Sequence, residues 1–254
     1  MPRRVHLALI SWLSLGLGAA GGAAAADLPV TVPAVKATAL AATTNWTGLF
    51  IGAEGGQGWG TDQLFFPGPL TRTSGFDTSG AVAGGVIGYN FQAPVHNWVF
   101  GFEASLDWAD INGTTPCPLV GFDCASKLDE ILAGTGRVGY AFGNALLYAK
   151  GGFAWSRNRA SGTSRATGAI VERTGQVGRS GYNLGAGAEY MFAPNWSAKL
   201  EYDYYHFDSK TVVATTPGGT VLENVELTGR SLNLIKGGVN YHFNWVPPAV
   251  LARY

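Results

Sequence analysis

Charge is scarce in this chain of 254 residues, at 13%, and neither sign prevails: 17 Lys and Arg stand against 17 Asp and Glu. A balance of zero leaves no long-range field to draw nucleic acid, which is therefore not an expected partner. Cysteine is down to two residues, too few for a scaffold built on disulfides. After residue 26 no segment approaches the roughly 18–20 apolar residues that a membrane-spanning helix needs. Anything that crosses a membrane beyond that point must do so as strands. What the chain does hold is 37 glycines and 12% aromatic residues, and a disordered chain would lack the aromatics.

The first 26 residues read as a cleaved secretory signal. Arg3 and Arg4 give a basic start, Leu7 to Leu17 form the apolar stretch, and Ala24-x-Ala26 fits the small-residue cleavage rule, with the cut before Asp27. Residues 27–44 show no period, and Pro29 and Pro33 block regular structure. They read as a flexible periplasmic leader.

From Trp46 to Phe243 the pattern changes to period-two alternation in segments of about ten residues or more, the signature of membrane-barrel strands. Eight such segments run near 46–60, 79–92, 97–110, 127–142, 145–158, 179–192, 196–208 and 229–243. In the third, Trp98, Phe100, Phe102, Ala104, Leu106 and Trp108 share one face, while Val99, Gly101, Glu103, Ser105 and Asp107 share the other. With each outward face fixed by its aromatic and aliphatic residues, the deep charges fall on the opposite parity. They are Glu54, Glu103, Asp107, Arg137, Lys150, Glu189, Lys199, Glu201, Asp203 and Lys236. A Lys or Arg facing lipid at the midplane costs roughly 2–4 kcal/mol, so these ten are expected to line a lumen. Asp110, Glu130 and Arg157 break the rule and read as lying near strand ends.

Connections alternate in length. Those at 93–96, 143–144 and 193–195 are short, and those near 61–78, 111–126, 159–178 and 209–228 are long. The expected fold is all-β: an eight-stranded antiparallel up-and-down transmembrane β-barrel with short periplasmic turns and four longer extracellular loops. Closure is required because hydrocarbon offers an unpaired strand edge no partner. Trp98, Tyr140, Tyr190, Trp196, Tyr241 and Phe243 are placed to form an aromatic girdle near the short turns, and Trp59, Trp108 and Trp155 one toward the long loops.

Motifs of chemistry are weak. Gly134-x-Gly136-x-x-Gly139 matches a dinucleotide fingerprint but lies inside a strand pattern, where no helix follows to meet a pyrophosphate. Four histidines do not cluster, so no metal site is expected, and no cofactor. His206-Phe207-Asp208-Ser209 offers a base and a hydroxyl, but on opposite strand faces; an enzyme is not expected. Cys117 and Cys124, both in the second long loop of an exported chain, read as a loop disulfide worth about 2–3 kcal/mol to that loop, with free thiols or a metal site as the alternatives. Lumen charges have two readings, an ion-selective pore or a paired network filling a narrow barrel. Eight strands enclose a space just wide enough for side chains, which favours the network.

Asn45-Trp46-Thr47-Gly48-Leu49-Phe50-Ile51-Gly52 resembles the opening strand of the alphaproteobacterial outer-membrane immunogenic proteins, small porin-like barrels of the OmpA-like superfamily. Gly134-Thr135-Gly136-Arg137-Val138-Gly139-Tyr140 resembles their fourth strand, and Gly238-Val239-Asn240-Tyr241-His242-Phe243 their last. The resemblance implies a surface-exposed protein of the cell outer membrane and carries over no catalytic residue. Its implied partners are outer-membrane lipid and lipopolysaccharide, the barrel-assembly machinery, and host or extracellular molecules at the loops. Such barrels usually end on the aromatic of the last strand; here residues 244–254 follow as a periplasmic tail, so either the assembly signal is internal or Tyr254 substitutes for it. The functional expectation is a structural or surface-interaction protein with a plugged or narrow lumen. The alternatives are a small porin passing ions or small solutes and, further off, a lipid-modifying enzyme.

Overall fold

The computed structural model describes residues 44–228 and 230–243. The expected signal segment, the leader up to residue 43 and the tail from 244 lie outside the described residues. The strands are β1 (Gly48–Asp62), β2 (Leu64–Phe66), β3 (Thr71–Arg72), β4 (Phe76–Gln92), β5 (Trp98–Pro116), β6 (Phe122–Phe142), β7 (Ala145–Ser164), β8 (Ile170–Thr174), β9 (Val177–Ala193), β10 (Trp196–Phe207), β11 (Lys210–Thr215), β12 (Val221–Leu227) and β13 (Arg230–Phe243). No helix occurs among the described residues.

Eight of these strands close a barrel in the order β1-β4-β5-β6-β7-β9-β10-β13, every pairing antiparallel. The first and last strands meet at a seam that runs from Leu49 opposite Phe243 to Thr61 opposite Ser231. A closed barrel of this kind has no free edge, which is what a lipid environment demands of a sheet. The three short connections cluster at one end. The β6–β7 turn is Gly143-Asn144, with Gly143 at φ +64°, a conformation glycine adopts without steric cost. At the β9–β10 turn Asn195 takes φ +67° and docks on the end of β13, accepting from the His242 N–H (2.8 Å) and donating from Nδ2 to its carbonyl (2.6 Å).

At the other end the barrel does not dissolve into loops. Strands β5 and β6 run on to Pro116 and from Phe122, through the segment 111–126 that reads as a loop in sequence. Where β5 to β7 pass this level, a β-bulge interrupts the register: Trp108 pairs with Glu130, but Ile111 pairs with Leu128. Strand β6 switches parity there, so that Ile131, Ala133 and Thr135 face inward below it and Leu128, Ser126 and Cys124 face inward above it. The other long connections carry strands of their own. The hairpin β11–β12 pairs with β8 on one side and β2 on the other, and β2 pairs with β3. A backbone ladder thus knits the first, third and fourth long connections into a β crown. Its own apolar core comprises Leu64, Phe66, Phe76, Cys124, Ala160, Val177, Ala214, Val225 and Leu227.

Candidate functional site

The outer wall of the barrel is apolar. Phe102, Trp108, Leu200, Leu184 and Phe153 are each more than half exposed. An exposed belt of that extent is a liability in water and the natural surface against acyl chains. Toward the short turns, Trp98 packs edge-on against Tyr140, Trp196 against Tyr241, and Tyr241 against Phe243; Tyr190 stands exposed beside them. Trp59 and Trp108 stand at the far edge of the belt, with Trp155 half-buried under the Arg157 guanidinium. There the outward charges begin: Asp110 pairs with Lys127 (2.5 Å), Glu130 with Arg157 (3.1 Å) and Asp129 with Arg159 (2.5 Å). Asp110, Glu130 and Arg157 therefore do not lie near strand ends, as the sequence reading had it. They sit mid-strand at the bulge, where the strands leave the belt.

Inside, the ten charges named from parity are all buried. Lys236 Nζ reaches Glu54 (2.5 Å), Asp107 (3.2 Å) and Asp203 (3.4 Å). Lys199 bridges Glu54 (2.5 Å) and Glu201 (3.1 Å). Lys150 reaches Glu103, Glu201 and Asp203 at 2.9–3.3 Å, and Arg137 joins Glu103 to Glu189. A charge taken from water is expensive alone and tolerable when each neighbour is its counter-ion. Room for these long side chains comes from glycine. Glu54 lies opposite Gly84 and Gly238, Glu103 opposite Gly88, Asp107 opposite Gly84, and Arg137 opposite Gly101. Lys150 and Asp203 lie opposite Gly185, Glu201 opposite Gly187, Lys199 opposite Gly238 and Lys236 opposite Gly56. Of the ten, Glu189 alone has no such partner, and it is met by other donors: Ser197 (2.5 Å), Asn240 (2.7 Å) and His242 Nε2 (3.0 Å).

Three inward-facing layers go beyond the charges named from sequence, with only Val99 of the first among the residues read as inward. Toward the short turns Trp46, Val99, Ala141, Leu146, Tyr148 and Met191 form an apolar cluster. Trp46, fully buried, donates its indole N–H to the Gly143 carbonyl (3.3 Å) and lies edge-on to His242. On the crown side of the charges, Val82, Ile111, Leu128, Ile131, Tyr205, Phe207, Leu232 and Leu234 form a second apolar cluster. Above that, Asp62 accepts from Ser126 (2.5 Å) and faces Arg230 at 3.6 Å, while Arg179 donates to the carbonyls of Phe207, Asp208 and Thr228. A parity signal did exist: Tyr205 and Phe207 share it with Asp203, Leu232 and Leu234 with Lys236, and Ile131 with Arg137.

Cys117 and Cys124 form a disulfide. It joins Cys117, one residue past the end of β5, to Cys124 on β6; Cys124 is part of the crown core and Cys117 packs against it. Gly134, Gly136 and Gly139 lie on the unbroken strand β6. His206 turns its ring to Tyr182 (5.4 Å), and Ser209 is exposed in the link after β10. No group of three or more His, Cys, Asp or Glu is arranged to hold a metal among the described residues.

A closed antiparallel barrel with an apolar belt, aromatic edges and an ionic interior defines an integral outer-membrane barrel protein. The chain belongs to the outer membrane protein beta-barrel domain family, whose model matches residues 13–243. It is 27% identical over 239 residues to the 31 kDa outer-membrane immunogenic proteins of Brucella melitensis and Brucella suis, covering 88% of this chain and 95% of each relative. Among solved structures it is similar to the Neisserial surface protein A, with 16% identity, 78% of this chain and 98% of that one covered, and a TM-score of 0.37. The protein is therefore located in the outer membrane.

Proposed function

We propose that the protein is a non-conducting surface anchor, a plugged barrel that holds the β crown outside the cell for contact with extracellular molecules. The observation that carries this reading is the order of layers along the lumen. A paired ionic network lies between two apolar clusters, one centred on Trp46 and Leu146, the other on Ile131 and Leu234. A water-filled channel would offer ions a continuous polar wall; two apolar layers interrupt it. Short turns on the periplasmic side and long connections outside are the usual arrangement of such barrels, which puts the crown on the exterior. Lipid and lipopolysaccharide then surround the belt, and the barrel-assembly machinery inserts the chain. The Brucella relatives are named for being immunogenic, and the crown is the part of this chain that antibodies would meet. A lipid-modifying enzyme gains no support, since His206 is engaged with Tyr182 on the outer wall.

Planar-bilayer recording of the purified, refolded protein tests the plug. A silent bilayer at protein levels that give proven insertion is the expected result. Steady unitary openings would replace the anchor reading with a small-solute pore.

A further inference from the structure

The three connections of the crown and the tip of the β5–β6 hairpin converge on a cavity of about 710 Å³, within the range of sites that enclose small organic molecules. Phe66, Pro69, Leu119, Phe122, Val171 and Leu222 supply its apolar wall. Each connection contributes: β2 and its turn, the disulfide hairpin, β8, and the β11–β12 hairpin. Leu119 is 68% exposed and Leu222 49%, so the wall continues to an open rim.

Charge in this cavity is of one sign. Glu172 on β8 and Glu223 on β12 both line it, and no Lys, Arg or His does. Neither carboxylate has an ion-pair partner among the described residues; of the crown's arginines, Arg165 pairs with Asp123 at 2.5 Å, Arg173 donates to the Pro217 carbonyl and Arg72 lies over the Phe65 ring at 4.7 Å. The half-buried Glu172 carboxyl is pushed above its ordinary range by burial first and by the neighbouring Glu223 second. Two like charges held near each other against an apolar wall are a cost that a positive guest would remove.

We propose that this cavity binds a small amphiphilic cation, an apolar body of ring or short-chain size carrying an ammonium-like charge, with Glu172 and Glu223 as its counter-ions. The apolar wall takes the body by burial, and the carboxylates select the sign. An anionic guest of the same shape would meet repulsion from both glutamates, and a neutral one would leave them unpaired. This rests on the crown being exterior only for the source of the guest. Binding itself is a property of the isolated protein and is independent of whether the lumen conducts.

The probe pair is tetraphenylphosphonium and tetraphenylborate, near-isosteric ions of opposite charge. Each is equilibrated by dialysis against the folded protein in non-ionic detergent, with empty micelles as the blank. Saturable binding of the phosphonium at one per chain, none of the borate, and an affinity weakened about tenfold or more in the E172Q/E223Q double variant are expected. Those substitutions keep shape and remove repulsion, so the variant should fold, which the gel shift on boiling checks. Equal phosphonium binding in the two proteins, saturable borate binding, or no saturable phosphonium binding would overturn the proposal.

Discussion

Lys236 Nζ lies 2.5 Å from Glu54 Oε1, so the ion pair spans the seam where the last barrel strand meets the first. Glu54 also binds Lys199 on the next strand, and Lys236 also binds Asp107 and Asp203. Removing one member strands several buried partners at once. Lys236→Met is expected to cost about 3–5 kcal/mol, the usual cost of orphaning a buried charge, and Glu54→Gln a similar amount. Urea unfolding in detergent, followed by far-UV dichroism, measures both. Because the two residues share a network, the double variant should lose less than the sum of the singles.

Glycine placement makes a sharper contrast. Gly84 faces Asp107 in register, and a Cβ there would lie 2.2 Å from the Leu106 carbonyl oxygen and 2.3 Å from Asp107 Oδ1. Gly134 faces outward and a Cβ there would meet nothing within 4 Å. Gly84→Ala should destabilise by about 1–3 kcal/mol through overpacking, while Gly134→Ala should stay within about 0.5 kcal/mol of the parent. The same unfolding experiment reads both.

The crown should respond to pH in a definite direction. Glu172 holds its proton to higher pH folded than unfolded, because burial and then Glu223 disfavour its charge. The folded crown thus binds more protons than the unfolded one as pH rises from about 4.5, the ordinary value of a free glutamate, and its stability falls across that window. Of the groups that act on it, Glu223 on β12 is the charged one; β7 presents Gly162. Asp123 works in the opposite sense, held low by its hydrogen bond from Arg165, and its contribution is lost as pH falls. The difference between parent and Glu172→Gln isolates the first effect. Hydrogen exchange of crown amides between pH 4 and 7, given in about unit steps, should show a decline with pH that the variant flattens.

Much of the barrel was legible because lipid inverts the usual pattern and leaves a period-two record of it. All eight expected segments overlap a barrel strand, and the charges selected by parity are buried together. What failed has physical causes. The bulge at Asp129 flips the parity of β6, so Leu128 reads as outward in an unbroken pattern although it is buried in the lumen. Tyr205, Phe207, Leu232 and Leu234 lie on the inward parity but carry no mark of the lumen in sequence, because only charge distinguishes that face by residue type and the crown half of the lumen is filled with apolar side chains. Crown strands of two to seven residues, such as β3 and β12, are too short for periodicity to show, and their pairing is between distant loops. The acidic cavity has no local signature, since Glu172 and Glu223 come together only when the β8, β11 and β12 ladder forms.

The most direct test of a closed, lipid-facing barrel is a nitroxide scan along β5, with Ala104→Cys, Ser105→Cys and Leu106→Cys labelled one at a time in lipid bilayers while Cys117 and Cys124 remain bridged. Positions 104 and 106 should collide freely with oxygen dissolved in the acyl chains and not with a water-soluble nickel chelate. Position 105, facing the packed ionic layer, should be shielded from both. Free access of the chelate to position 105 would mean an open aqueous lumen, and access to 104 and 106 would mean that the belt does not face lipid at all.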